Sequence, residues 1–178
     1  ATFMAKPHTD WAGSSCHIHM SLGEGVFHDG DGMTETMRRF IGGSLVSMRE
    51  LTALHAPTIN SYRRFSPYSW AATTATWSVD NRSTGLRAIL EGREGTRVEH
   101  RQAGGDANPY LVAAAALAAG LDGIERGIDA PPSTDADVYA LPPGEVQVLP
   151  SSLAEATEAL AASDVARDWL GADFVGHY

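Results

Sequence analysis

Alternation of polar and apolar positions is sharpest at residues 13–22. A strand there would set His17, His19 and Ser21 on one face and Ile18, Met20 and Leu22 on the other. Ahead of it, residues 2–6 read as a short buried strand stopped by Pro7. Behind it, the Gly- and Asp-rich residues 23–32 read as a loop in which Val26 and Phe27 form a short paired strand. The period then changes. Met37, Ile41, Leu45, Met48, Leu51 or Thr52, and His55 recur at three and four behind Thr34 as N-cap, which predicts one helix of about five to six turns ended by Pro57. Gly42 and Gly43 inside it cost about 1 kcal/mol each in helix propensity, so the pair predicts the close approach of another backbone.

Residues 58–69 are irregular. Strand patterning returns over 71–79, 86–90 and 97–101, with turns at 80–83 and 91–95. In the last of these strands Arg97, Glu99 and Arg101 share one face, Val98 and His100 the other. Three charges on one face are costly to bury unpaired, so that face meets solvent or lines an anion and metal site. Asn108 followed by Pro109 is a strong helix start, and the Ala- and Leu-rich run to Gly123 predicts a tightly buried helix stopped at Gly127. Residues 129–150, with Pro131-Pro132 and Pro142-Pro143, read as a long surface excursion. Ser152 and Glu155 form a capping box for a helix to about Ala162, Ser163 caps a further amphipathic helix ending near Gly171, and residues 174–178 begin another apolar stretch. The expected class is α+β: an antiparallel sheet lined with His, Glu and Arg and backed by the helices from Thr34 and Asn108.

Composition narrows the function. The 178 residues are 43% hydrophobic and 20% charged with mean hydropathy −0.17, as in globular domains, and no apolar run reaches membrane-spanning length. A net charge of −9 and a pI near 5.1 argue against nonspecific nucleic-acid binding. The single cysteine, Cys16, cannot form an intrachain disulfide, and the first residues carry no signal-peptide pattern, so a cytoplasmic location is expected. Arginine is nevertheless concentrated: Arg64, Arg82, Arg87, Arg97 and Arg101 gather in the strand-and-turn middle of this acidic chain. The guanidinium fork binds phosphate and carboxylate bidentately, so the clustering points to a polyanionic substrate. His17, His19 and Ser21 add imidazoles and a hydroxyl suited to a metal beside phosphate, although a His-x-His strand reads equally as solvated or satisfied in a core.

These motifs carry a resemblance. Gly13-Ser14-Ser15-Cys16-His17-Ile18-His19-Met20-Ser21-Leu22, Asn60-Ser61-Tyr62-Arg63-Arg64, Asn81-Arg82-Ser83, Arg97-Val98-Glu99-His100-Arg101, Asn108-Pro109-Tyr110-Leu111 and Ala119-Gly120-Leu121-Asp122-Gly123-Ile124 resemble, in that order, the C-terminal half of the glutamine synthetase catalytic domain. The resemblance implies an ATP-dependent ligase that phosphorylates the side-chain carboxylate of glutamate and lets an amine or ammonium attack the acyl phosphate. It implies that His17 and Glu99 hold Mg²⁺ or Mn²⁺, that His19, Ser21, Arg87 and Arg97 contact ATP, and that Gly13, Arg64 and Arg101 hold the amino-acid substrate. Arg82 would face the transferred phosphoryl group. The parent protein would be a ring-forming homo-oligomer, and residues 1–178 a fragment lacking the N-terminal domain and the first half of the catalytic domain, inactive alone.

Two departures from the pattern matter. Ala12 stands where an asparagine is usual, and Trp70 where glutamine synthetases place the glutamate that serves ammonium. Residues 60–71 therefore look more like the branch that joins glutamate to organic amines such as polyamines or ethanolamine. Tyr139 lies where some bacterial members carry an adenylylated tyrosine, a modification left open. Two other readings remain: a non-catalytic relative used for binding or assembly, and a small metal-binding barrel, which would need further histidine ligands late in the chain.

Overall fold

A computed structural model describes residues 1–178. Four short strands form one sheet in the order β1-β4-β3-β2: β1 (Ile18–Met20), β2 (Trp77–Val79), β3 (Leu86–Ile89) and β4 (Arg97–His100). β4 pairs antiparallel with both β1 and β3, aligning Ile18 and Leu86 with His100, His19 and Arg87 with Glu99, and Met20 and Ala88 with Val98. Period-2 alternation across this register gives one apolar and one polar face, as the sequence predicts.

β2 departs from the expected all-antiparallel sheet by pairing parallel to β3. Asp80, with φ of 53°, turns the chain out of β2, and residues 80–85 carry it back to the same starting edge. That return is pinned by Asn81, whose side-chain amide donates to the carbonyls of Thr134 and Ala136, and by the Thr84 hydroxyl bonded to Asn81 O. Other expected strands are shorter or missing. Residues 2–6 form none, residues 71–76 contribute only a bridge between Thr74 and Val148, and Val26 and Phe27 give way to a bridge between His28 and Met33. Phe27 still fills the core.

Helix α1 (Glu35–Met48) starts where expected, with Thr34 Oγ1 accepting from Met37 N. The predicted continuous helix breaks at residues 49–51, and α2 (Thr52–His55) follows. The reason is packing. Met37, Phe40, Ile41, Leu45 and Met48 join Leu86, Ala88 and Val98 behind the sheet, whereas Leu51, Ala53 and Leu54 join a second cluster with Ala115, Ala119 and Leu160. Each helix buries its own stripe, and the turn between them redirects the chain.

Beyond the single helical turn α3 (Gly92–Gly95) lies α4 (Pro109–Arg126), capped by Asn108 and closed by Gly127 in the left-handed conformation. It packs chiefly on α1 rather than lying directly on the sheet as expected. At the crossing a Cβ on Gly43 would stand 2.4 Å from Gly123 Cα, and one on Gly42 would run into the backbone at Ile128, which together account for the glycine pair in α1. Helices α5 (Leu153–Ala162), α6 (Asp164–Leu170) and α7 (Ala172–His177) complete the outer layer, the first two capped by Ser152 and Ser163 as the sequence indicates. No helix is long and apolar enough to cross a membrane.

Candidate active site

The polar face of the sheet is organised by Glu99, a carboxylate only 4% exposed. Its Oε1 lies 2.9 Å from His17 Nδ1, 2.8 Å from Arg101 Nη1 and 3.8 Å from His19 Nε2, and its Oε2 accepts from Arg87 at 3.4 Å. Burial alone would raise its pKa, but the His17 and Arg101 contacts outweigh burial and bring it down to about 2. Arg87 is held on its other side by Asp80 at 2.9 Å. Arg97 reaches His19 Nδ1 at 3.3 Å and Glu91 at 2.8 Å. Ser21 is exposed one residue beyond β1. The backbone register thus places residues from three strands around one carboxylate.

His17 and Glu99 are compatible with part of a divalent-metal site. His17 Nδ1 is taken up by Glu99 at 2.9 Å, while its Nε2 is buried with no partner, so one imidazole nitrogen remains for a ligand that the chain itself does not supply. The set is incomplete: no group of three His, Cys, Asp or Glu residues in the chain could hold a metal.

Arg64 is 2% exposed and forms no ion pair. Nη2 donates to Gln102 O at 2.8 Å, Nη1 reaches Ser15 Oγ at 3.4 Å, the cation lies 5.2 Å from the Phe65 ring centre, and Nε has no partner. Burial lowers its pKa and the nearby Asp106 partly restores it. Arg64 Nε and Asp106 Oδ1 are both buried with no hydrogen-bond partner. Gly13 sits against its stem, where a Cβ would stand 3.0 Å from Arg64 Cγ.

Trp70 and Arg82 share a separate hollow of about 580 Å³, also lined by Asp80, Asp135 and Asp137. Trp70 is 61% exposed, and Arg82 is exposed with no ion pair. Sequence reasoning missed three contributors. Asp106 accepts from Thr58 and Ser61 beside Arg64, Asp80 orients Arg87, and His55 stacks on His100 at 4.6 Å behind β4. Only long-range pairing brings these together, so no local spacing announces them.

A family model described as glutamine synthetase, catalytic domain, matches residues 1–178. The chain belongs to that family. Among its relatives, the gamma-glutamylethanolamide synthetase GlnA4 of Streptomyces coelicolor is 43% identical over 181 residues, 99% of this chain and 38% of its own length. A glutamate–isopropylamine ligase from a Pseudomonas species is 40% identical, with 100% of this chain and 40% of the relative covered. The solved GmaS/ADP complex, conformation 1, superposes with a TM-score of 0.83 at 38% identity over 96% of this chain and 42% of that one. This member of the glutamine synthetase family therefore spans about two fifths of the length of the curated relatives it matches.

Proposed function

We propose that this chain is the C-terminal part of the catalytic domain of a longer ATP-dependent ligase that joins glutamate to an organic amine through an acyl phosphate. The observation that carries this reading is the convergence of His17, His19, Arg87 and Arg101 on the buried Glu99, with Arg97 bonded to His19 and Arg64 buried without an ion pair. Such a surface suits a nucleoside triphosphate and an amino-acid carboxylate together. His17 and Glu99 would hold Mg²⁺ or Mn²⁺, with the remaining ligands from outside these residues. That metal would neutralise charge on the phosphates.

In this assignment His19, Ser21, Arg87 and Arg97 contact ATP, and Arg64, Arg101 and Gly13 hold glutamate. Arg82, the free cation of its hollow, faces the phosphoryl oxygens as charge spreads over them. Trp70 in the same hollow gives an apolar wall and a π-face to an alkylamine, a reading supported by the amines in the names of the Streptomyces and Pseudomonas relatives. The whole protein works as a cytoplasmic homo-oligomer, and residues 1–178 alone turn over no ATP.

The test is phosphate release by the whole protein with glutamate, ATP and either ammonium or a panel of ethanolamine, isopropylamine and polyamines. Saturable stimulation by one organic amine is expected. Efficient glutamine formation with no response to any of them overturns the amine assignment.

A further inference from the structure

All three non-glycine residues with positive φ lie in or beside the hollow shared by Trp70 and Arg82: Tyr68 at 59°, Trp70 at 62° and Asp80 at 53°. Bulky aromatic residues adopt this conformation rarely, and it persists only where surroundings fix it. On the Trp70 side, Ser69 Oγ donates to Arg64 O at 2.7 Å and accepts from Ala71 N at 3.3 Å. Both bonds are local to the segment. The residue that ties it to a distant part of the chain is Tyr139, whose hydroxyl donates to Ala71 O at 3.0 Å and also meets the Trp70 backbone and the Ser69 side chain, while its ring packs 5.3 Å from that of Tyr68. Burial pushes the phenol pKa up, so the hydroxyl keeps its proton and remains a donor.

Tyr139 is itself anchored on the opposite wall. Asp137 Oδ1 accepts from Tyr139 N at 3.1 Å, and Val138 N donates to Ser83 Oγ at 3.1 Å, one residue from Arg82. Ser83 Oγ in turn donates to Asn81 Oδ1 at 2.7 Å, and the Asn81 amide grips Thr134 O and Ala136 O. Residues 134–139 therefore form a strap with one end hooked to the Arg82 loop and the other, through a single phenol, to the Trp70 loop.

We infer that Tyr139 is a positioning residue that sets where Trp70 stands relative to Arg82, and so determines how well the hollow accepts an organic amine. Its effect on amine selection rests on the ligase reading above; its hold on residues 66–72 does not. Tyr139→Phe keeps the ring against Tyr68 and removes only the hydroxyl. In the whole protein, hydrogen exchange over residues 66–72 should accelerate about threefold to tenfold, the range expected for losing one net hydrogen bond, with the rest of the chain unchanged. The KM for the preferred amine should rise by a similar factor while the KM values for glutamate and ATP stay within about twofold. In a Trp70→Ala background, Tyr139→Phe should add nothing further to the amine KM.

Unchanged exchange over residues 66–72 overturns the positioning role whatever the enzyme's substrate. Equal rises in all three KM values, or an undiminished effect in the Trp70→Ala background, overturn its link to amine selection. An enzyme that answers only to ammonium refutes the organic-amine reading, and the exchange measurement still decides Tyr139.

Discussion

His17 Nδ1 lies 2.9 Å from Glu99 Oε1, a contact between β4 and the residue just ahead of β1 that the antiparallel register makes possible. Glu99→Gln keeps the shape but removes the charge that balances Arg87 and Arg101. Divalent-metal affinity, measured by calorimetry on the whole protein, should fall about 10- to 100-fold. Unchanged metal binding removes Glu99 from the site.

The glycine crossing of α1 and α4 makes a structural prediction. A Cβ on Gly43 meets backbone on every near side, at 2.4 Å from Ala119 O and from Gly123 Cα, so the helices must separate. Gly43→Ala should destabilise the protein by about 1–3 kcal/mol or more, the usual cost of overpacking. Gly176→Ala in α7, where a new Cβ meets nothing within 4 Å, should change stability by less than about 0.5 kcal/mol. Equal melting shifts for the two variants would contradict the packing.

Stability should also fall in mild acid. Burial lowers the His55 pKa from 6.5 to about 4, and its Nδ1 bond to Leu51 O at 2.9 Å only partly opposes this. The neighbouring His100 shifts in the same direction, chiefly by burial and then through the His55 and His17 charges. Between about pH 6.5 and 4 the unfolded chain binds the His55 proton and the folded chain does not, so stability drops as pH falls through that window. Taken alone, the His55 shift is worth about 3 kcal/mol. Melting temperature followed from pH 7 to pH 4 should decline, and His55→Gln should flatten the decline while leaving the part due to His100. An unaltered slope would show that His55 titrates normally.

How far the sequence reveals this molecule depends on the range of the interaction. Caps at Thr34, Asn108, Ser152 and Ser163 are decided within a few residues and read directly. Alternation in β1 and β4 places His19 and Glu99 on one face, and the register then makes them neighbours. The break at residues 49–51 is invisible because apolar spacing continues smoothly across it while the two helices serve different clusters. The parallel β2–β3 pairing is hidden for a related reason: a short polar loop ordinarily signals a hairpin, and the distant carbonyls of Thr134 and Ala136 help hold Asn81 in the alternative path. The stack of His55 on His100 joins α2 to β4, so no local pattern announces it.

Trp70 carries the remaining prediction. Ammonium must lose a proton before it attacks an acyl phosphate, so an ammonia-specific enzyme gains from a carboxylate that draws in the cation and accepts the proton. Trp70 can do neither, but its exposed ring can cover a carbon chain and meet a protonated amine with its π-face, a contact of about 0.5–2 kcal/mol depending on desolvation. Lost alone, that contact weakens amine selection about 2- to 30-fold. Trp70→Ala should therefore raise the organic-amine KM within that range and leave ammonium use low, because nothing replaces the missing base. Trp70→Glu should go further, lowering the organic-amine kcat/KM while raising that for ammonium, and Trp70→Phe should retain most of the amine preference. Competing amine and ammonium in one assay and separating the two γ-glutamyl products reads the ratio directly. If Trp70→Glu leaves that ratio where it was, the ring is only a packed aromatic, and the amine is selected by residues outside this chain.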